Sequence, residues 1–139
     1  AFDGENAVGF LYLAETGRDT AELYVMGVLK EYHRRGVGKM LFAAAKQRAK
    51  ELGYSFLQVK TVQMGKYPEY DATNRFYLAL GFGEFEVFPT LWDEWNPCQI
   101  YVMSLKSENV GTFSRRFASI KAEKQGREAY DRPRTEKTL

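Results

Sequence analysis

The sequence predicts an α/β (α+β) domain, a mixed, mostly antiparallel and twisted sheet flanked by helices. Two observations carry that prediction. From Ala21 to Val62 the chain reads strand, glycine turn, helix, strand, a βαβ-like unit that sets two strands in parallel. Farther on, Glu84 to Phe88 and Gln99 to Leu105 read as the arms of a closing hairpin, which adds antiparallel strands. With 139 residues, 45% hydrophobic and 15% aromatic, the chain has room for one core, assigned to residues 1–106.

Taken in order, the first strand is expected from Ala7 to Ala14. Gly4, Gly17 and Asp19 bracket Val8-Gly9-Phe10-Leu11-Tyr12-Leu13, so this strand forms a hairpin with Glu22 to Val28. The segment Ala21 to Val28 is apolar enough for a buried strand, and Gly27 within it marks a bulge or a close backbone approach. After a glycine-containing turn, Val37, Met40, Leu41, Ala44, Arg48 and Leu52 recur at helical spacing, and Gly53 stands where a C-terminal cap belongs. Tyr54 to Val62, rich in apolar and β-branched residues, is the next strand.

The turn itself is Tyr32-His33-Arg34-Arg35-Gly36-Val37-Gly38-Lys39. Gly36 and Gly38 let the backbone turn sharply, and the helix that follows aims unpaired N–H groups and its positive dipole end at whatever lies before it. A dinucleotide fingerprint needs a third glycine where Leu41 stands, and a Walker loop needs Ser or Thr where Met40 follows Lys39. What remains is a pyrophosphate held by main-chain amides with Arg34, Arg35 and Lys39 outside it, or a solvated basic strand-to-helix turn. The octapeptide alone fits both.

With those surroundings, His33-Arg34-Arg35-Gly36-Val37-Gly38 resembles the coenzyme A signature of the GNAT superfamily of acyl-CoA dependent N-acetyltransferases, departing from it at His33, where Gln or Arg is usual. A second element, Asp71-Ala72-Thr73-Asn74-Arg75-Phe76-Tyr77 followed by Gly81-Phe82, is similar to the family helix that carries a catalytic tyrosine and ends in Gly-Phe. The resemblance runs from about Ala7 to Lys106. It implies a GNAT-like sheet, acetyl-CoA as co-substrate and transfer of acetyl to a primary amine. The strand and two helices that open the family's domains have no counterpart here, so another chain, another segment or nothing supplies that wall of the acceptor site; a homodimer is one of those options.

Acetyl transfer from a thioester to an amine needs a neutral nucleophile, a stabilised oxyanion and a proton for the leaving thiolate. The resemblance implies Tyr77 as the acid, packed by Ala72, Phe76 and Leu80; plain core packing is the alternative. Glu22 stands fourteen residues before Gly36, the offset of the general base in the family's histone-acetylating branch, and is equally readable as a strand acid without that role. The resemblance also implies that main-chain groups of Met26 and Val28 pair with the pantetheine arm, that the oxyanion donor is an N–H near Gly27 or Val28, and that His33 acts through its backbone. Asn74 either bonds the arm or serves the start of its helix.

The connection Pro89 to Pro97 holds both tryptophans. Trp92, Asp93, Glu94 and Trp95 could wall a pocket for a small cationic amine, or the rings could plug the end of the sheet; a protein N-terminus or lysine is the other acceptor. Phe113, Phe117 and Ile120 fit a short amphipathic helix at 107–126, before a polar tail at 127–139. A formal charge of +2 and the absence of a long apolar run argue against nucleic acid and membrane partners. With His33 and Cys98 the single residues of their kinds, neither a metal site nor a Ser-His-Asp site is expected, and one cysteine makes a reducing, cytoplasmic setting the default. The rival class is a CoA-binding or interaction module without catalysis.

Overall fold

The computed structural model describes residues 1–106; the predicted helix at 107–126 and tail at 127–139 lie outside the described residues. The elements in chain order are β1 (Phe2–Asp3), β2 (Asn6–Ala7), β3 (Gly9–Glu15), β4 (Thr20–Val28), α1 (Val37–Glu51), β5 (Phe56–Val62), α2 (Pro68–Ala79), β6 (Gly83–Phe88) and β7 (Cys98–Ser104). A single 3-10 turn, Lys30–Tyr32, links β4 to the glycine turn. β1 and β2 form a small ribbon of their own, and the other five strands make one sheet in the order β3-β4-β5-β7-β6. Only β4 and β5 run parallel, which gives the mixed, mostly antiparallel sheet expected. Among the described residues no helix is long and apolar enough to cross a membrane.

Both helices pack on one face of the sheet. Phe42, Ala45 and Ala49 from α1 and Tyr77 from α2 meet Ala21, Leu23, Leu57, Val59, Tyr101 and Met103 in a single core. Strand alternation puts Glu22, Gln58, Lys60 and Ile100 on the opposite face. The inward stripe of α1 is therefore turned from the expected one: Met40 and Leu52 are exposed, and the small residues Ala45 and Ala49 let the helix lie close to the strands. Gly53, at φ +84°, ends α1 as foreseen. On α2, Ala72 is exposed, while Phe76 packs on Tyr77 and Leu80 is half-buried against the core as expected, and the rings of Phe82 and Tyr101 complete the packing.

The bulge in β4 falls at Tyr24 rather than Gly27: Tyr12 pairs with Val25 and Leu13 with Leu23, leaving Tyr24 as the extra residue. Gly27 is needed for close approach, since a β-carbon there would lie 2.8 Å from the Phe10 ring.

Parallel pairing of β4 with β5 covers only Thr20–Phe56, Ala21–Leu57 and Glu22–Gln58, after which the strands separate. Gln63 N–H donates to the Pro97 carbonyl at 2.9 Å, and antiparallel bonds fall on alternate residues, so the Val62 peptide faces away from β7 into that gap. Asn74 fills the vacancy. Its Nδ2 donates to the Val62 carbonyl (2.9 Å) and to the Tyr70 carbonyl (2.6 Å), while its Oδ1 accepts from the Tyr101 hydroxyl at 2.6 Å. Asn74 is fully buried and its amide is spent on the protein, so the expectation that it bonds the pantetheine arm is revised to a structural one, tying α2 to β5 and β7.

Asn74→Ala removes all three bonds and leaves the Val62 carbonyl and the Tyr101 hydroxyl without a partner in the interior, which should cost about 2 to 4 kcal/mol of unfolding free energy. Tyr101→Phe removes one and should cost about 1 kcal/mol. Urea denaturation of both variants measures the difference; equal losses would mean that Asn74 is not the centre of this network.

Candidate active site

The gap between β4 and β5 widens toward Val28 and Val62, and the glycine turn follows Val28 directly. Leu29 N–H donates to the Val8 carbonyl at 2.9 Å, so by the same alternation the peptide groups of Val28 and Met26 face the gap. His33 folds back on this edge: its Nε2 donates to the Val28 carbonyl at 2.9 Å. The departure from the family signature thus has a structural use, and it leaves the Val28 N–H as that residue's free gap-side group.

The two glycines of the turn have separate tasks. Gly36 sits at φ +81° with nothing within 4 Å of where a β-carbon would be, so backbone conformation requires it; Arg34, at φ +60°, shares the left-handed region. Gly38 has ordinary backbone angles, but a β-carbon there would stand 3.2 Å from Phe76 Cζ, so it makes room for the ring of α2. The first main-chain bond of α1 is Met40 N–H to the Gly36 carbonyl, 3.1 Å, which leaves the N–H groups of Val37, Gly38 and Lys39 without helical partners. Arg35 lies over the Tyr32 ring, its Cζ 4.5 Å from the centroid, and Arg34 and Lys39 are exposed. Donors and positive charge therefore collect at the wide end of the gap, an arrangement suited to a phosphate-bearing ligand.

Tyr77 lies on the helix face of the sheet, next in sequence to Phe76. It is 7% exposed, and its hydroxyl has no hydrogen-bond partner among the described residues. Burial raises its pKa above the usual 10.0, so the phenol keeps its proton far past neutral pH.

Glu22 occupies the other face. Its side chain is 4% exposed, and Oε1 stands 3.4 Å from Lys60 Nζ, itself 30% exposed. Together with Tyr24, Val25, Leu91 and Trp92 they line an open cavity of about 520 Å³. A smaller hollow of about 290 Å³ beside Gly9 and Gly27 is apolar and holds no titratable side chain. Sequence reasoning missed Lys60 and Tyr24. A lone lysine inside the apolar strand Phe56–Val62, one strand away from a lone glutamate, was the available signal.

Of the four loop residues expected to wall a pocket, Trp92 alone lines the cavity, beside Leu91 of the same loop. Asp93 Oδ1 accepts from the N–H groups of Trp95 and Asn96, both at 2.8 Å, and its two oxygens take the Asn96 amide at 3.0 and 2.9 Å. It serves its own turn rather than a pocket wall, and those bonds, the Asn96 side chain first, hold its carboxyl below the usual 3.8. Trp95 is 71% exposed and Glu94 is also at the surface.

Residues 1–84 match the family model described as an acetyltransferase (GNAT) domain. The chain belongs to the GNAT acetyltransferase family. Solved structures agree on the fold. Ard1 from Thermoplasma volcanium aligns at 20% identity and TM-score 0.62, covering 72% of this chain and 64% of that one. A GNAT-family protein from Desulfovibrio desulfuricans gives 20% and 0.68, with 76% and 65% covered. An aminoglycoside 6'-N-acetyltransferase complexed with coenzyme A gives 16% and 0.64, with 78% and 72% covered. This GNAT chain spans slightly less than two thirds of the length of the first two. No curated protein sequence matches it.

The Asp93 turn gives a pH test. A carboxyl whose folded pKa is depressed contributes its stabilisation above the unfolded value and loses it as pH falls through the folded one. Tryptophan emission should therefore hold steady from neutral pH down to about 4, then shift below the depressed folded value. Asp93→Ala should show the shifted spectrum already at pH 7; an unchanged spectrum would remove the turn from the loop's architecture.

Proposed function

We propose that this GNAT domain transfers the acetyl group of acetyl-CoA to the primary amine of a small molecule, a group that is an ammonium in water, by direct attack. The observation that carries the reading is the gap between β4 and β5, which opens at the donor-rich start of α1. The pyrophosphate would sit on the N–H groups of Gly36 to Lys39, with Arg34, Arg35 and Lys39 around it. The pantetheine arm would run along β4 as an added strand, using the gap-side groups of Met26 and Val28.

The candidate acid and base then fall on opposite sides of the thioester. Tyr77 approaches from the helix face with a retained proton, suited to a departing thiolate. Glu22 approaches from the cavity face, where an amine can reach it. The amine nitrogen attacks the thioester carbonyl, a gap-side N–H near Gly27 or Val28 holds the oxyanion, and collapse breaks the C–S bond. Membership of the family supports the reaction type, and the polar cavity supports a small acceptor.

Purified protein offered a broad panel of amines should release free thiol from acetyl-CoA. Tyr77→Phe should lower kcat by about a hundred-fold with little change in KM for acetyl-CoA, and the alkaline limb of the wild-type profile should lie above pH 10.0, where the raised phenol finally ionises. Tight acetyl-CoA binding without turnover on any amine would favour a binding module instead. Separately, Gly36→Glu puts a carboxylate into a left-handed position at the cradle and should abolish CoA binding in calorimetry; unchanged binding would dismiss the cradle.

A further inference from the structure

We propose that the acceptor is an apolar α-amino acid, a zwitterion whose amine meets Glu22 while its carboxylate takes Lys60; this rests on the acetyl-transfer reading above and names its substrate class. The cavity floor is a charge pair rather than a lone acid. Glu22 Oε1 and Lys60 Nζ stand 3.4 Å apart, one almost wholly buried and the other largely so. Standard covalent dimensions put the nitrogen and a carboxylate oxygen of an α-amino acid roughly 3 Å apart. The ligand's dipole therefore matches the floor's, reversed.

That match decides between acceptor classes. A simple amine that pairs with Glu22 either shares that one carboxylate with Lys60, setting two cations on a single buried acid, or displaces the lysine and leaves an ammonium without its partner in a partly buried wall; both are costly. A polyamine is worse off, because its second cation faces the lysine. A zwitterion replaces both halves of the broken pair at once, so neither protein charge is stranded. The rest of the lining is Tyr24, Val25, Leu91 and Trp92, which offers an apolar side chain a place to lie.

The chemistry balances with no further reactant. The ammonium gives one proton to Glu22, now freed from Lys60, and the resulting amine attacks the thioester carbonyl carbon. The C–N bond forms, nitrogen passes its second proton to water, the C–S bond breaks, the thiolate takes a proton from Tyr77, which solvent restores, and Glu22 returns its proton to solvent. The products are an N-acetyl amino acid, the free thiol of coenzyme A and one released proton. Lys60 is thus a specificity residue: it binds the acceptor and takes no part in the bond changes.

The test compares apolar amino acids with their amides and decarboxylated amines, for example leucine, leucinamide and isoamylamine, at saturating acetyl-CoA. The free acids should lead in kcat/KM by roughly ten- to a hundred-fold. Lys60→Met should flatten the ranking, whereas Lys60→Arg should keep it, which separates charge from a loss of folding. Amides or bare amines turned over as well as the free acids, or a ranking preserved in Lys60→Met, would overturn the proposal while leaving acetyl transfer intact. Calorimetry on the CoA-bound protein gives a readout free of turnover. Free acids should bind, and Lys60→Met should weaken them about ten-fold; no binding by any free acid overturns the proposal even where bare amines are acetylated. Thiol release from no amine at all would instead defeat the acetyl-transfer reading.

Discussion

The architecture depends on two parallel strands that part company after three residue pairs. A parallel ladder ordinarily satisfies its own peptide groups, so strands that separate inside a folded domain expose donors and acceptors along both lips. This chain meets part of the cost with two side chains. His33 returns from the glycine turn to cap the Val28 carbonyl on one lip, and Asn74 reaches from α2 to cap the Val62 carbonyl on the other. Each cap belongs to the segment that follows its strand, so the glycine turn and the helix α2 each cap the lip that leads into them.

Much of this was written locally in the chain. Gly36 with the helix pattern after it located the start of α1, the alternation in Glu84 to Phe88 located one arm of the closing hairpin, and the resemblance of Asp71 to Tyr77 with Gly81-Phe82 to a family helix located α2. What escaped was non-local. Nothing around Asn74 distinguishes an amide that bonds a ligand from one that caps a strand twelve residues earlier. The bulge at Tyr24 is a single extra residue in an apolar run, invisible until the partner strand fixes the register. Lys60 gains meaning from Glu22, and their proximity depends on parallel pairing across the whole βαβ unit. Asp93 was legible in principle, because Asp followed three residues later by Asn favours a self-bonded turn over a pocket wall.

The two faces of the sheet have different electrostatic characters, and this follows from strand alternation alone. Residues 57, 59 and 101 are apolar and sit under the helices; 22 and 60 carry charge on the other side. A ligand lodged in the gap borders both environments. On one side burial keeps a phenol protonated; on the other, a carboxylate and an ammonium share an open cavity. The separation of Tyr77 from Glu22 needs no special loop, since it is inherited from the two-residue period of the strands.

The contact between Gly38 and Phe76 has a consequence for the two helices. The ring fills the space that a side chain at 38 would take, so the first turn of α1 and the helix α2 meet at this ring, and Phe76 is the immediate neighbour of Tyr77. On the proposed reading, a cofactor seated on the first turn of α1 would lie one packing contact away from the residue beside the phenol.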